Sequence, residues 1–316
     1  MQQRPLPGTD LTVSAIGFGC WTIGGRAWGP VDDRVSVAAV HAALDAGITL
    51  FDTAPLYGHG HADTVLARAL GDRIHEVTVA TKVGVRIDGE HAESDLSPAH
   101  LRQDCEASLR RLGVERLDLL QVHWPCERGT PLADTLETLV ALQDAGKIRH
   151  FGLCNYDSAT LRLARKLAPL ATLQTPLSLL RREFEGDLSQ ASRGLGVLAY
   201  EPLCRGLLSG RFDDFPDFDE HDLRSRDPRF TGARFLHARG LVRDLTRAAQ
   251  RLRVPTAALA VGWAASRPGV SSALVGCRTP AQVAQNTQAA RLLDKPAVWS
   301  VVDRIAAVHG GWTGSS

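Results

Sequence analysis

Four side chains of this sequence have the types that protonation of a carbonyl group requires. Asp52 ends a short apolar run, and Tyr57 follows it between a proline turn and a glycine. Lys82 and His123 each close a further apolar run. A phenol is a weak acid at neutral pH, and an ammonium group that a carboxylate holds beside it lowers its pKa. An imidazole can then donate to the carbonyl oxygen or orient it.

Each of these residues also has a structural interpretation. Asp52 and Tyr57, taken alone, could be a helix-capping acid and a packing ring, and a lone strand-end histidine is more often structural than catalytic. Lys82 could extend its ammonium group to solvent. However, the chain has only four lysines, at positions 82, 147, 166 and 295, among 36 lysine and arginine residues. A lysine kept at a strand end in an arginine-rich chain indicates a specific chemical need, and the four residues together favour catalysis.

Alternating strands and helices would position these side chains. The pattern predicts strands at 15–19, before and including Asp52, and at 77–82, 117–123, 148–154, 173–174, 196–200 and 272–275. It predicts helices at 32–46, 62–70, 97–112, 131–145, 158–167, 188–193, 279–288 and 296–309, two helical segments before the last strand, and an irregular stretch at about 205–236.

Eight strands, each followed by helix, indicate a (β/α)8 TIM barrel in the α/β class. Residues 4–14 predict an N-terminal β-hairpin, and the last helix is additional to the barrel, so we expect one domain over 1–316. A doubly wound nucleotide-binding fold is the alternative. It is weakened because no Gly-x-Gly-x-x-Gly motif opens a helix.

Polar side chains close or follow seven of the eight predicted strands. In chain order they are Asp52, Lys82, His123, Asn155, Gln174, Tyr200 and Arg278. The carboxyl ends of barrel strands meet at one rim, which is where barrel enzymes build their sites. A purely structural barrel has no need of a different hydrogen-bonding group at each of these ends, so we expect an active site there.

Composition and charge exclude several other functions. The formal net charge of +1 gives no field that favours nucleic acid or an acidic membrane. The six cysteines, at 20, 105, 126, 154, 204 and 277, form no C-x-x-C pair and no metal-finger spacing, which is typical of a reducing compartment. The sequence shows no signal-peptide core and no apolar run of membrane-spanning length. We therefore expect a cytoplasmic protein without a bound metal.

The motifs around these strand ends resemble those of the aldo-keto reductase superfamily, in its bacterial branch. Phe-Asp-Thr-Ala-x-x-Tyr-Gly at 51–58, Thr-Lys at 81–82 and Gln-x-His-Trp-Pro at 121–125 are similar to the family's catalytic motifs, in the family's order. Gly-Leu-Cys-Asn at 152–155, the motif from Ala199 to Gly210 and the one from Gly276 to Asn286 are similar to its cofactor-binding motifs. The resemblance covers about residues 8 to 290.

The resemblance implies a TIM barrel that uses NADP(H) without a Rossmann fold and interconverts carbonyl compounds and alcohols. Tyr57 would be the general acid, Lys82 and Asp52 its tuning pair, and His123 the carbonyl orienter. Asn155 and Gln174 would bind the carboxamide, and Tyr200 would stack on the nicotinamide. The implied cofactor contacts are Cys154, Asn155, Gln174, Tyr200, Glu201, Pro202, Leu203, Gly206, Leu208, Gly210, Gly276, Arg278, Gln282, Gln285 and Asn286. Arg278 would bind a 2′-phosphate, because a guanidinium suits bidentate phosphate binding.

Three positions depart from the family pattern. Cys154 stands where serine is usual, and Leu177 where tyrosine is frequent. Glu201 stands where serine is common, and its charge would repel a pyrophosphate unless Arg205 or another cation compensates it.

Aromatic and apolar residues on the rim loops could line a pocket for the carbonyl compound. They are Trp21, Trp28, Leu56, Trp124 and Phe230, for which loop packing is the alternative. Residues 211–222 are acidic with spaced phenylalanines, and could form a lid across the cofactor or be disordered without it. The partners we expect are a small aldehyde, ketone, aldose or pyridoxal-like compound, and the chain itself as a monomer or weak homo-oligomer.

Two other functions stay open at this point. A metal-dependent barrel hydrolase would use His59, His61, Asp52 and His123 as ligands, but would leave Lys82 and Tyr57 without a role. A cofactor-sensing subunit, similar to the β subunits of potassium channels, would keep the same four polar residues without turnover.

Overall fold

Eight parallel strands close into a barrel in the computed structural model, which describes residues 1–89 and 91–312. In chain order the strands are β1 (Gln3–Pro5), β2 (Thr12–Ser14), β3 (Ile16–Gly19), β4 (Leu50–Asp52), β5 (Thr78–Val83), β6 (Val85–Asp88), β7 (His91–Ser94), β8 (Leu117–Val122), β9 (Ile148–Cys154), β10 (Thr172–Pro176), β11 (Gly196–Tyr200) and β12 (Val270–Gly276). The barrel consists of β3, β4, β5 and β8 to β12, which confirms the predicted (β/α)8 fold.

Helices surround the barrel close to the predicted positions. They are α1 (Asp33–Asp45), α2 (His61–Leu70), α3 (Pro98–Leu112), α4 (Leu132–Asp144), α5 (Ser158–Leu167), α6 (Asp187–Ala191), α7 (Gly232–Leu252), α8 (Thr256–Ala265), α9 (Pro280–Thr287) and α10 (Pro296–His309). Side-chain caps fix several starts, since Asp32, Asp157 and Thr279 accept hydrogen bonds from the first-turn amides of α1, α5 and α9.

Two features differ from the sequence-based expectation. An antiparallel hairpin, β6–β7, follows β5 directly and has no counterpart in the prediction. The stretch predicted as irregular contains short 3-10 turns at Leu207–Ser209, Leu223–Arg226 and Pro228–Phe230, and α7 already begins inside it. Both segments are short or turn-rich, so apolar periodicity carries little signal for them.

The core has two layers. Inward-facing residues of the barrel, such as Leu50, Leu119 and Leu198, form one cluster, which Leu6 and Leu11 of the N-terminal hairpin complete at the amino end of the barrel. The larger cluster lies between the strands and the helices. The hairpin therefore closes the end of the barrel opposite to the carboxyl ends of the strands.

Strand register brings the polar strand ends to one level. Asp52 of β4 is paired with Gly19 of β3 and Ala80 of β5, while Lys82 is paired with Gln121. The carboxyl ends of these neighbouring strands thus form a continuous rim. Among the residues described, no helix is long and apolar enough to cross a membrane.

Candidate active site

A buried ion pair lies at the centre of the rim. Lys82 Nζ is 2.6 Å from Asp52 Oδ1 and 3.0 Å from the carbonyl oxygen of Thr53, and Lys82 is only 1% exposed. The same Nζ stands 5.0 Å from the centroid of the Tyr57 ring. The three side chains that the sequence predicted as acid and tuning pair are therefore in contact.

The second oxygen of Asp52 is also bound. Gln174 Nε2 donates to Asp52 Oδ2 at 2.7 Å, and Gln121 Nε2 lies at a longer 3.5 Å from the same atom. A buried carboxylate with several donors is held in one orientation. Gln174 consequently links the acid to the cavity wall, which it also lines.

The turn that carries Tyr57 is fixed by a close backbone contact. Gly58 has φ of +66°, and a Cβ added to it would lie 1.8 Å from the carbonyl oxygen of Gly24. The Tyr57 amide donates to Ala54 O at 2.9 Å. Only glycine fits this left-handed position against the neighbouring loop, so the turn has little freedom to move the phenol.

Burial and charge set the protonation states of the site. Burial raises the pKa of the Tyr57 phenol, and the Lys82 charge opposes this shift without cancelling it. Burial alone would lower the pKa of Lys82, but Asp52 raises it, so the ammonium form persists. The expected lowering by Lys82 is present, but the net shift of the phenol pKa in the free protein is upward. Tyr57 is therefore protonated at neutral pH.

His123 completes the group beside the phenol. Its ring lies edge-on to the Tyr57 ring at 6.0 Å between centroids, and it lines the cavity. Burial, followed by the Lys82 charge, holds the pKa of His123 well below its usual value. The imidazole is therefore neutral, with one N–H available as a hydrogen-bond donor.

The rim encloses a cavity of about 660 Å³. Most residues predicted from the sequence line it: Asp52, Tyr57, His123, Asn155, Gln174, Tyr200, Glu201, Pro202, Leu203, Gly206, Gly210, Gly276, Arg278, Gln282, Gln285, Asn286, Trp21, Trp28, Leu56 and Trp124. Lys82 lies just beneath the wall. Cys154 and Leu208 are fully buried outside the lining, so any contact of Leu208 with a ligand would use its backbone.

Aromatic rings form the walls near Tyr57. Trp21 stacks on Tyr57 with 6.1 Å between centroids and meets Trp28 edge-on at 5.2 Å, while Trp124 lies 4.8 Å from the His123 ring. Phe230 is not part of these walls. It is buried and packs against Phe212, which does line the cavity, so its expected pocket role is replaced by loop packing.

The carboxamide-binding candidates are partly engaged within the chain. Asn155 donates through Nδ2 to the carbonyl oxygen of His123 at 2.9 Å and accepts from the Tyr200 hydroxyl at 2.8 Å. Its φ of +66° turns the side chain toward the rim. The side-chain oxygen of Gln174, Oε1, in contrast, accepts no hydrogen bond within the described chain, and Gln174 lines the cavity.

Comparison with known proteins identifies the family. A model of the aldo/keto reductase family matches residues 15–307 of the chain. The chain belongs to the aldo/keto reductase family. Its members are oxidoreductases that use nicotinamide cofactors.

Three members of the family are similar to this chain over most of its length. The aldo-keto reductase YhdN of Bacillus subtilis is 36% identical over 288 residues, covering 90% of this chain and 87% of the relative. An NADH-specific methylglyoxal reductase of Escherichia coli is 31% identical over 306 residues, covering 92% and 93%. The structure of a glycerol dehydrogenase from Gluconobacter oxydans superposes with a TM-score of 0.89 at 37% identity, covering 99% and 97%.

Glu201, the acid that departs from the family pattern, is surrounded by guanidinium groups. Arg205 Nε is 3.0 Å from Glu201 Oε1, Arg229 Nη1 is 3.0 Å from Oε2, and Arg181 lies at 3.7 Å. Compensation by Arg205, which the sequence required, is therefore present in this aldo/keto reductase. Glu201 and Arg205 both have left-handed backbones, with φ of +52° and +57°.

Arg278, the residue predicted to bind a 2′-phosphate, lines the cavity. Its guanidinium donates to the carbonyl oxygens of Trp28 at 3.0 Å and Pro30 at 2.5 Å, and its backbone amide donates to Gln282 Oε1 at 2.7 Å. Burial, and then the nearby Arg224, lower the pKa of Arg278. A guanidinium has five N–H donors, so two bonds to carbonyls leave further donors for an anion.

Several lining residues were not predicted as site residues from the sequence. They are Gly19, Thr22, Arg181, Ser209, Arg224, Ala257, Leu274 and Val275, together with Arg205, considered only as a partner of Glu201, and Arg211 and Phe212, considered only as part of the segment 211–222. Ser209 lies inside the Gly-x-Leu-x-Gly motif and could have been found there. Arg211 and Arg224 lie in the turn-rich stretch, where no periodic pattern indicates which side chains face the cavity.

The metal ligands of the alternative hydrolase are not brought together. His61 Nε2 pairs with Asp33 on α1 at 2.8 Å, and His59 Nε2 lies 2.9 Å from Arg26. Within residues 1–89 and 91–312, no group of three or more His, Cys, Asp or Glu side chains could hold a metal ion.

Proposed function

We propose that this protein is an NADPH-dependent reductase that interconverts a small carbonyl compound and its alcohol, with Tyr57 as general acid and base. The carrying observation is the Tyr57 phenol beside the buried Lys82–Asp52 pair at the cavity floor. Burying an ion pair costs desolvation energy that an apolar side chain would avoid. A buried ammonium stabilises the phenolate that proton donation produces, and this role in the reaction explains why the desolvation cost is tolerated.

Each residue of the group has a defined task in this reaction. A bound nicotinamide cofactor supplies the hydride. Tyr57 donates its proton to the carbonyl oxygen as negative charge develops there, and the resulting phenolate is stabilised by Lys82. The neutral imidazole of His123 donates to the same oxygen and orients it. In the opposite direction, the Tyr57 phenolate accepts the proton of the alcohol.

The chemistry of the cavity wall fits a nicotinamide dinucleotide. The side-chain oxygen of Gln174 is available to accept a hydrogen bond from the carboxamide group of the nicotinamide, and Tyr200 has an aromatic ring on which the nicotinamide can stack. Since Glu201 is neutralised by Arg205 and Arg229, the wall beside it does not repel a pyrophosphate. We assign Asn155 a supporting role, because its amide holds Tyr200 and the His123 backbone.

Positive charge at the cavity wall favours NADPH over NADH. Arg278 and Arg211 line the cavity and make no ion pair within the described residues, whereas Arg224, which also lines it, is paired with Asp222. A 2′-phosphate carries the dianionic charge that such a cluster binds. A relative at 31% identity is named NADH-specific, so the preference has to be measured on this chain.

The walls near Tyr57 favour small, uncharged substrates. Trp21, Trp28, Leu56 and Trp124 give this part of the cavity broad aromatic and apolar surfaces, and Arg205 and Arg224 stand over the Trp21 and Trp28 rings at 5.3 and 5.2 Å. Both guanidinium groups are already paired with carboxylates, so the walls suit an uncharged compound. The relatives named for methylglyoxal and glycerol act on small uncharged compounds of this kind. We therefore propose short aldehydes, ketones and their alcohols as the substrate class.

Turnover of a carbonyl panel tests this function directly. Methylglyoxal, glyceraldehyde, an aldose and an aromatic aldehyde are each mixed with NADPH or NADH, and loss of the reduced-cofactor absorbance is followed. We expect turnover with NADPH that Tyr57→Phe lowers by roughly 10²–10⁴. Cofactor binding without turnover on any carbonyl or alcohol would contradict the proposal and favour the cofactor-sensing alternative.

A further inference from the structure

Asp63 is a fully buried carboxylate outside the cavity lining. It lies in the first turn of α2 and is 0% exposed. Its Oδ1 accepts from Thr53 Oγ1 at 2.7 Å, and its Oδ2 accepts from Arg111 Nε of α3 at 2.9 Å. Burying a charge in this way is costly and needs a reason beyond packing.

The Thr53 contact connects Asp63 to the reacting groups. Thr53 follows Asp52 directly, and its carbonyl oxygen accepts from Lys82 Nζ at 3.0 Å. The bond from Thr53 Oγ1 to Asp63 also joins the two ends of the segment 53–63, in which Tyr57 lies. Thr53 therefore binds the ammonium group through its carbonyl oxygen and closes the segment that carries Tyr57 through its hydroxyl.

Arg111 reinforces this closure from outside. Its Nη2 donates to Ser108 Oγ at 2.9 Å, and its side chain crosses the start of α2 so closely that a Cβ on Gly60 would lie 2.6 Å from Arg111 Cδ. The guanidinium thus connects α3 to Asp63, the last residue of the segment 53–63. Buried charged pairs with full hydrogen bonding fix one geometry more strongly than apolar contacts do.

We propose that Asp63 and Arg111 are positioning residues for carbonyl reduction, which act through Thr53 on Lys82 and on the segment that carries Tyr57. The inference rests on the proposed roles of Tyr57 and Lys82. Neither Asp63 nor Arg111 contacts the cavity, so both act on the proton-transfer step without touching the reactants.

Thr53→Val tests the proposal, because it removes the hydroxyl and keeps the shape. We expect kcat to fall about tenfold, the effect of a small misplacement of a catalytic group, with the cofactor Kd unchanged. The rise of alcohol oxidation with pH should be displaced to higher pH, since a displaced Lys82 lowers the phenol pKa less. Thr53→Ser should restore both properties.

Thr138→Val is the matched control. Thr138 is also a buried threonine, its Oγ1 donates to Asp134 O at 2.8 Å, and it lies on α4 away from the cavity. This variant should keep the kcat and pH profile of the unmodified protein. Thr53→Val with an unchanged kcat and pH profile would overturn the proposal.

Two further measurements keep the test independent of folding and of the proposed reaction. Arg111→Lys keeps a positive charge beside the buried Asp63, so it should fold even if Thr53→Val does not, and it should lower kcat in the same way but less than Arg111→Met. Hydrogen–deuterium exchange of the peptide 53–63 should quicken in Thr53→Val or Arg111→Met and not in Thr138→Val. Exchange that is unchanged in both variants would refute the closure, even for a protein that reduces no carbonyl compound.

Discussion

Gln174 donates a hydrogen bond to Asp52 at 2.7 Å, so a residue of the cavity wall holds the acid of the Lys82–Asp52 pair. The same amide presents its carbonyl oxygen to the cavity. Because one side chain contacts both the acid and the proposed carboxamide position, cofactor binding and proton transfer should depend on it together.

We therefore expect Gln174→Met to raise the cofactor Kd and also to lower the single-turnover rate at saturating cofactor. Loss of a hydrogen bond to a charged group costs about 1.5–3 kcal/mol. Gln121→Met is the control, since Gln121 Nε2 lies 3.5 Å from the same oxygen and does not line the cavity. It should leave the cofactor Kd unchanged. A change in Kd alone for Gln174→Met would show that its bond to Asp52 has no part in the reaction.

Tyr57→Phe should remove proton donation and keep the ring that packs on Trp21. Single-turnover hydride transfer with bound cofactor should fall by roughly 10²–10⁴, the usual contribution of a positioned acid. A rate equal to that of the unmodified protein would make His123 the first alternative acid.

The pH dependence of the unmodified protein follows from the raised pKa of Tyr57. The phenol stays protonated through the neutral and mildly alkaline range, so carbonyl reduction should be level up to about pH 9, below the ordinary phenol pKa of about 10. Alcohol oxidation needs the phenolate and should rise with pH across that range. Rates in both directions, measured at saturating cofactor, check the sign.

Arg278→Ala should weaken NADPH binding more than NADH binding. A charged hydrogen bond to the 2′-phosphate accounts for about 1.5–3 kcal/mol of this difference. Because Arg278 also holds the Trp28 and Pro30 carbonyls, a smaller loss common to both cofactors is expected. Fluorescence titration with both cofactors gives the difference, and equal losses would argue against the phosphate contact.

His123 should make the fold sensitive to mild acid. Its pKa is depressed in the folded protein and near 6.5 when unfolded, so the unfolded chain binds more protons as the pH falls. Above about pH 6.5 the imidazole is neutral in both states and does not affect the free energy of unfolding. Below that pH, protonation of the unfolded chain decreases the free energy of unfolding by up to about 1.4 kcal/mol per pH unit. Denaturant unfolding at pH 7.5 and pH 5.5 should show a larger loss for the unmodified protein than for His123→Gln, and equal losses would contradict it.

Apolar periodicity was sufficient to predict the barrel and most of the rim. Gly196–Tyr200 is a uniform apolar run, and Ile148–Cys154 is apolar after Arg149 and His150; the side chains at the ends of both strands are placed by the geometry of parallel strands. Asp52, Tyr57, Lys82 and His123 could therefore be placed together from the sequence alone. In such a fold, position along the strand determines position at the rim.

Other features depend on long-range contacts that no local pattern contains. The direction in which Arg224 and Phe230 point is set by turns between 205 and 236, and the bond from Thr53 to Asp63 depends on how α2 packs against the barrel. The net pKa shift of Tyr57 depends on the balance between burial and the Lys82 charge, which is set by the folded surroundings of the phenol. The sequence shows that Lys82 is charged, but it does not show how completely the fold excludes solvent from the Tyr57 phenol.

The left-handed backbones of Glu201 and Arg205 have a consequence for efforts to make this protein more heat-resistant. Glycine would adopt φ of +52° and +57° without the steric cost that these side chains bear. Glycine at position 201 or 205 would, however, remove a partner of the buried Arg229 or Asp227 and leave that charge short of its counterion. Attempts to gain heat resistance by placing glycine at these two sites should therefore fail, because the ion pairs that neutralise Glu201 also hold its strained backbone in place.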